Sequence, residues 1–232
     1  MFRGLFPMSD ISIHHFENIS LLNKAVAALL KHHFEREYPA LHAVMLSGGK
    51  TPFEAYHLVA DERCVASSGL RIFLSDERLV PITSAESNYG NMQFMMKALN
   101  LNENQLIRLD PELNPVSSAE HYDSDLRKFI NNGGLIPLGL LGLGADGHTA
   151  SLFCKDDLER AKGHYAIPVV APNGMNRVSV TPDLLAKIQQ IVFVAAGSDK
   201  KAVIDKLISQ SSAVIAGQAV AGVKMKQLWF AQ

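Results

Sequence analysis

What most constrains this chain is an alternation. Short apolar runs rich in strand-forming residues are followed, again and again, by longer stretches whose apolar residues recur at helical intervals. Residues 11–15 read as a strand and 18–38 as a helix, where Ile19, Leu22, Val26, Leu29 and Leu30 fall near one face. The pattern continues with strand 42–46 and helix 52–60, Pro52 suiting a first helical turn. Strand 70–74, helices 88–99 and 117–131, strands 138–143 and 191–195, and helix 199–209 follow. Residues 165–182 and 224–230 read as further strands forming a small β region at a sheet edge. Such alternation predicts an α/β fold, Rossmann-like, with a mainly parallel sheet flanked by helices. No repeat or Pro/Gly/Ser-rich linker divides the 232 residues, so one domain over 1–232 is expected.

Composition narrows the function more than the fold. With 22 Lys+Arg against 23 Asp+Glu the formal net charge is −1, which gives no electrostatic case for nucleic acid or a membrane surface. An anionic ligand must therefore be held locally. Two cysteines, Cys64 and Cys154, have no paired spacing, and a reducing cytoplasm is expected. The amino end, MFRGLFPMSD, lacks the continuous apolar run of a signal peptide, and Met8 is an alternative start to Met1. The longest uncharged stretch, residues 129–145, is interrupted by Asn, Gly and Pro and makes a poor membrane helix.

Four polar clusters each begin where a strand is expected to end. They are Ser47-Gly48-Gly49-Lys50-Thr51-Pro52, Ser75-Asp76-Glu77-Arg78, Gly144-Ala145-Asp146-Gly147-His148-Thr149 and Gly197-Ser198-Asp199-Lys200. In an open parallel sheet the carboxyl ends of the strands share one edge, so these clusters are placed to meet in one crevice. Gly48-Gly49 before a helix start offers close backbone approach and free N–H groups to an anion, although such a turn is also an ordinary strand-to-helix connection. A Walker A loop would need glycine where Val44 stands, and a nucleophile elbow would need it at Met45, so nucleotide hydrolysis and serine-hydrolase chemistry lose support.

The Gly142-x-Gly144-x-x-Gly147 spacing matches a dinucleotide fingerprint only formally, because Asp146 and His148 crowd the space a pyrophosphate needs. More informative is Asp146-Gly147-His148: an imidazole that exchanges protons near neutral pH, with a carboxylate two residues away to orient it. Asp76, Glu77 and Arg78 read either as a solvated charge run or as a cluster that turns Arg78 into the crevice as a bidentate anion ligand. Lys200 or Lys201, and Arg177, would add positive charge. The His14-His15 and His32-His33 pairs lack ligand spacing, no HExxH occurs, and no metal site is expected. Met92, Met95 and Met96 read as core.

Taken in order, Ser47-Gly48-Gly49-x-Thr51-Pro52, Asp76-Glu77-Arg78-x-Val80-Pro81 with Ser87-Asn88-Tyr89, and Gly142-x-Gly144-x-Asp146-Gly147-His148-Thr149-Ala150-Ser151-Leu152-Phe153 resemble the 6-phosphogluconolactonase family. Arg177 in Asn176-Arg177-Val178-Ser179-Val180, and Gly197-x-x-Lys200, extend the similarity from Leu46 to about Lys206. The related glucosamine-6-phosphate deaminases share Asp-Gly-His but carry a glutamate seven residues after the Asp, where this chain has Phe153, and a tyrosine where it has Arg78. Two departures from the lactonase pattern are Cys154, in place of a usual proline, and a tail ending Phe-Ala-Gln.

The resemblance implies hydrolysis of 6-phospho-D-glucono-1,5-lactone to 6-phosphogluconate, the second step of the oxidative pentose phosphate pathway. It implies His148 as general base with Asp146 holding the imidazole. Arg78, Lys200, Arg177 and the Ser47-Gly48-Gly49 turn would bind the phosphate, with Asp76 and Thr51 in support. It implies no cofactor and a small sugar-phosphate lactone as the partner; a monomer or weak homo-oligomer is expected, in the cytoplasm that the cysteines and amino end suggest. The competing readings are a deaminase or isomerase, which would release ammonia from glucosamine-6-phosphate, and a sugar-phosphate sensor that binds without turnover.

Overall fold

In the computed structural model the described residues are 11–62 and 64–231, so the amino-terminal decapeptide with its alternative start at Met8 lies outside them. Strands β1 (Ile11–Phe16), β2 (His42–Leu46), β3 (Leu70–Leu74), β5 (Leu135–Gly142), β8 (Ile188–Ala196) and β9 (Met225–Ala231) form one sheet in the order β1-β9-β8-β5-β2-β3, all neighbours parallel. A second, antiparallel sheet holds β4 (Asp76–Arg78), β7 (Asn176–Val180) and β6 (Ala166–Val170) in the order β4-β7-β6. The helices are α1 (Ile19–Glu35), α2 (Lys50–Asp61), α3 (Asn88–Ala98), α4 (Pro115–Asn131), α5 (Lys155–Arg160), α6 (Pro182–Leu185), α7 (Lys201–Ser209) and α8 (Ile215–Ala219). Among the described residues no helix is long and apolar enough to cross a membrane.

Alternate residues of the central strands feed two cores, one on each face of the main sheet. Val44 and Leu46 pack with Leu22, Val26, Leu30 and Phe34 of α1 and with Met92, Met95 and Met96 of α3. Ala43 and Met45 face the other way, with Phe73, Phe193, Leu126 of α4 and Ile204 of α7. The four α1 residues recur every fourth position and are fully buried, each contributing roughly 2 kcal/mol of transfer free energy. Asn18 caps α1, its side chain accepting the N–H of Leu21 at 3.0 Å. The helix stops at Glu35, short of the expected Tyr38, because Pro39 disfavours helical backbone just before it.

Three expectations are corrected by pairing over long sequence distances. The 165–182 stretch is a hairpin of two strands rather than an edge of the main sheet, and Pro182 opens α6. The carboxyl-terminal strand β9 is interior, flanked by β1 and β8. Strand β5 starts at Leu135, three residues early: the register against β2 slips between His42 and Val44, and this irregularity absorbs Pro137, which has no N–H to give a regular ladder.

The strand order reverses between β2 and β5, since the chain runs outward from β2 to β3 on one side and from β5 through β8 to β9 on the other. The carboxyl ends of β2 and β5 therefore flank a switch point, where α/β sheets leave a crevice.

Candidate active site

That crevice is a cavity of about 260 Å³ lined by Ser47, Gly48, Gly49, Thr51, Asp76, Arg78, Asn88, Gly144, His148, Arg177 and Lys200, among others. Every expected site residue except Asp146 lines it, and Asp146 stands behind the imidazole. A larger cavity, about 680 Å³, opens beside β4 between α3, α4 and the 106–112 segment. It shares only Asp76 with the expected set, and among the described residues lining it the single cation is Arg108, already paired with Glu103 at 3.2 Å. The smaller crevice is the one that gathers the expected residues.

One wall is the turn after β2. Gly49 sits at φ 94°, a left-handed conformation that a side chain would strain, and it precedes α2 without supplying a side-chain cap. With no acidic residue in the first turn of α2, its amide end is left to the crevice. At Gly48 a Cβ would lie 2.1 Å from Asn88 Oδ1, so only glycine lets the α3 amide pack there. Ser47 Oγ accepts the N–H of Gly142 at 3.2 Å, and Thr149 Oγ1 donates to the Gly142 carbonyl at 2.8 Å.

The facing wall carries the positive charge. Arg78 on β4 and Arg177 on β7 are directly opposed across an antiparallel pair, a juxtaposition of like charges that costs stability unless an anion answers it. Both Nε atoms are buried without a hydrogen-bond partner. Burial, opposed by Asp76 and aided by Arg78, holds the Arg177 guanidinium below its ordinary range. Arg78 Nη1 donates to the Glu86 carbonyl at 2.7 Å, and Arg177 Nη1 lies 3.8 Å from Asp76 Oδ2. Lys200, on a tight turn after Gly197 at φ 102°, lines the crevice, whereas Lys201 pairs with Asp205 at 2.8 Å on α7.

Asp76 and Glu77 are buried, so the reading of 76–78 as a solvated run is excluded. Asp76 accepts from Ser75 Oγ at 3.0 Å and from Ser151 Oγ at 2.8 Å, gathering β4, β7 and the 144–153 loop around one carboxylate. Glu77 accepts the N–H groups of Arg78, Asn88 and Tyr89 at 2.7, 2.8 and 2.7 Å, which clamps the start of α3 to β4. Burial raises its carboxyl above the usual range despite those three donors.

Between the walls, His148 Nδ1 lies 2.5 Å from Asp146 Oδ1, which also accepts the His148 N–H at 3.2 Å. Partial burial of Asp146 is outweighed by these contacts, and its carboxyl lies below the usual range. With Nδ1–H given to Asp146, the ring's other nitrogen is the one left to act as a base. Gly144 makes the arrangement possible, because a Cβ there would meet His148 Nδ1 at 2.2 Å. Ala150 holds φ 48° in the same loop, a strained setting of the kind found where geometry is imposed by surrounding structure.

Sequence reasoning passed over Asn88 and Ser151. Asn88 Nδ2 donates to the Asp76 carbonyl at 2.9 Å, and its buried Oδ1 has no partner. Both residues lie within motifs already singled out, but their contacts cross between elements 12 and 75 residues apart. Among the described residues, no three His, Cys, Asp or Glu side chains are grouped to hold a metal ion.

Comparison with known proteins shows the family of the chain. The family model described as glucosamine-6-phosphate isomerases/6-phosphogluconolactonase matches residues 18–229. The 6-phosphogluconolactonase of Treponema pallidum is 30% identical over 201 residues, covering 83% of each chain. That of Chlamydia pneumoniae is 34% identical over 164 residues, 69% of this chain and 62% of the relative's own length. Among solved structures, 6-phosphogluconolactonase from Trypanosoma cruzi superposes with a TM-score of 0.81 at 25% identity, covering 98% of this chain and 96% of that one. The chain therefore belongs to the family of glucosamine-6-phosphate isomerases and 6-phosphogluconolactonases.

Proposed function

We propose that this protein hydrolyses 6-phospho-D-glucono-1,5-lactone to 6-phosphogluconate. The observation that carries the reading is the juxtaposition in one small crevice of an Asp-supported imidazole, His148, with three cations, Arg78, Arg177 and Lys200. The phosphate dianion relieves the Arg78–Arg177 opposition and engages the uncapped start of α2, so remote binding energy places the lactone carbonyl near His148. His148 takes a proton from a water whose oxygen attacks the acyl carbon. The tetrahedral intermediate then collapses with cleavage of the bond to the ring oxygen, which receives the proton back from the imidazolium. The released carboxylic acid loses its proton to solvent.

Asp146 holds the ring and answers its transient charge, while Asp76 keeps Arg177 in place. The relatives named 6-phosphogluconolactonase support the substrate, and the two unpaired cysteines suit a reducing compartment such as the cytoplasm. The test is lactone disappearance measured against spontaneous hydrolysis with purified protein, beside the unphosphorylated lactone. Turnover above background confined to the phosphorylated substrate is expected; no rate above background, or ammonia release from glucosamine-6-phosphate, overturns the reading.

A further inference from the structure

Phe153 has a position that the hydrolytic scheme does not use. Its ring centroid lies 4.7 Å from that of the His148 imidazole at an interplanar angle of 47°, and the Arg177 guanidinium sits 5.7 Å from the same ring. The phenyl ring is thus close to both the proposed base and a cation of the substrate wall. Its backbone is pinned independently: Phe153 N–H donates to Asp157 Oδ2 at 2.9 Å, and that buried carboxylate also binds Arg160 at 2.8 Å and the N–H of Cys154 at 3.1 Å. The preceding residue, Leu152, is fully buried. The ring therefore stands on a rigid base.

A single ring hydrogen bond, from His148 Nδ1–H to Asp146, fixes one edge of the imidazole and leaves its plane free to tip about that contact. A ring packed on the imidazole removes this freedom. Arg177 needs no such help, because Asp76 and Ser151 Oγ, the latter at 3.4 Å, already hold its Nη1. Asp146 is in hydrogen-bond contact with the imidazole, and the crevice that the ring faces is also lined by the Asp76 carboxylate, Arg78, Arg177 and Lys200. We infer that Phe153 is a positioning residue for the proposed reaction: it sets the plane of the His148 imidazole against the Asp146 carboxylate.

This inference rests on the lactonase reading, and its test separates the two. Phe153→Leu keeps apolar bulk and removes the π face; Phe153→Tyr keeps the ring; Phe153→Met is a second non-aromatic variant in case leucine folds poorly. With the ring gone, kcat should fall between about 10- and 100-fold, the scale of a misplaced catalytic group, while KM stays within about twofold. Phe153→Tyr should restore kcat. In ring-selective NMR, with His148→Ala for assignment, the His148 signals should be sharp in wild type and Phe153→Tyr and exchange-broadened in Phe153→Leu or Phe153→Met. Unchanged kcat and sharp His148 signals in the non-aromatic variants would overturn the inference, as would a tyrosine variant as slow as leucine. Absence of lactone turnover in the wild type overturns the functional reading instead, and the NMR comparison still decides whether Phe153 orders the imidazole.

Discussion

Ser47 Oγ accepts the backbone N–H of Gly142 at 3.2 Å and so ties together the carboxyl ends of β2 and β5, the two strands between which the sheet order reverses. This hydrogen bond spans 95 residues of sequence and joins the glycine turn before α2 to the loop that carries His148.

Ser47→Ala removes that acceptor. The expected loss is about 1 kcal/mol of unfolding free energy, the usual net worth of a neutral hydrogen bond, read from urea denaturation. Lactonase kcat/KM should fall as well, because two walls of the site lose their common anchor. A variant equal to wild type in both respects would show that the strand ends are fixed by other contacts.

Arg78 and Arg177 are opposed in register, so an anion between them should stabilise the fold. Inorganic phosphate is expected to raise Tm of the wild type and to raise that of Arg78→Ala much less. Losing charge-assisted hydrogen bonds to the phosphate should increase KM for the lactone on the order of 10- to 100-fold in Arg78→Ala. An unchanged KM removes Arg78 from the phosphate site.

Gly144 lies against the imidazole with no room for a methyl group. In Gly144→Ala the added Cβ would displace His148 Nδ1 or Asp146 Oδ1, which it would meet at 2.2 and 2.5 Å. Displacement of about 1 Å at the base should lower kcat on the order of 100-fold, with KM moved much less. Circular dichroism should show the fold retained, since φ at Gly144 is not in the left-handed region. A kcat near wild type would mean that the dyad has more freedom than its packing suggests.

Away from the site, His33 and His42 form a buried pair near the amino end of β2. His33 Nδ1 contacts Tyr38 Oη at 2.7 Å, and His42 Nε2 meets the His33 carbonyl at 3.1 Å. Burial, with His32, Arg36 and His42 nearby, lowers the His33 pKa to about 4, and burial lowers that of His42. The unfolded chain therefore binds protons that the folded chain refuses between about pH 6.5 and 4. Stability is full above that window and falls as pH drops through it, by about 3 kcal/mol at most from His33. Urea midpoints measured from pH 7 to pH 4 should fall less steeply in His33→Asn than in wild type; parallel curves would contradict this.

The main sheet was legible in the sequence because β2, β5 and β8 are buried on both faces, and such strands appear as unbroken apolar runs. β4 was not legible: Asp76-Glu77-Arg78 has no strand character of its own, and its extended form comes from pairing with β7 a hundred residues later. The interior place of β9 is likewise a non-local fact. At the site, four clusters after four strands predicted one crevice because topology alone puts them on one edge. The choice of Lys200 over Lys201 needed the turn after Gly197, which points only one of the two inward. Asp76, expected only in support, is the carboxylate on which Ser75, Ser151 and Arg177 converge, and no local pattern announces such a junction.

The central claim is that His148 activates water over a lactone held by its phosphate. The most direct measurement is the rate of 6-phospho-D-glucono-1,5-lactone hydrolysis by His148→Ala beside wild type, with 6-phosphogluconate binding followed by its effect on Tm. Loss of general-base help should slow the variant by about 10²- to 10⁴-fold while the product still stabilises it. A variant that hydrolyses the lactone at the wild-type rate would contradict the account.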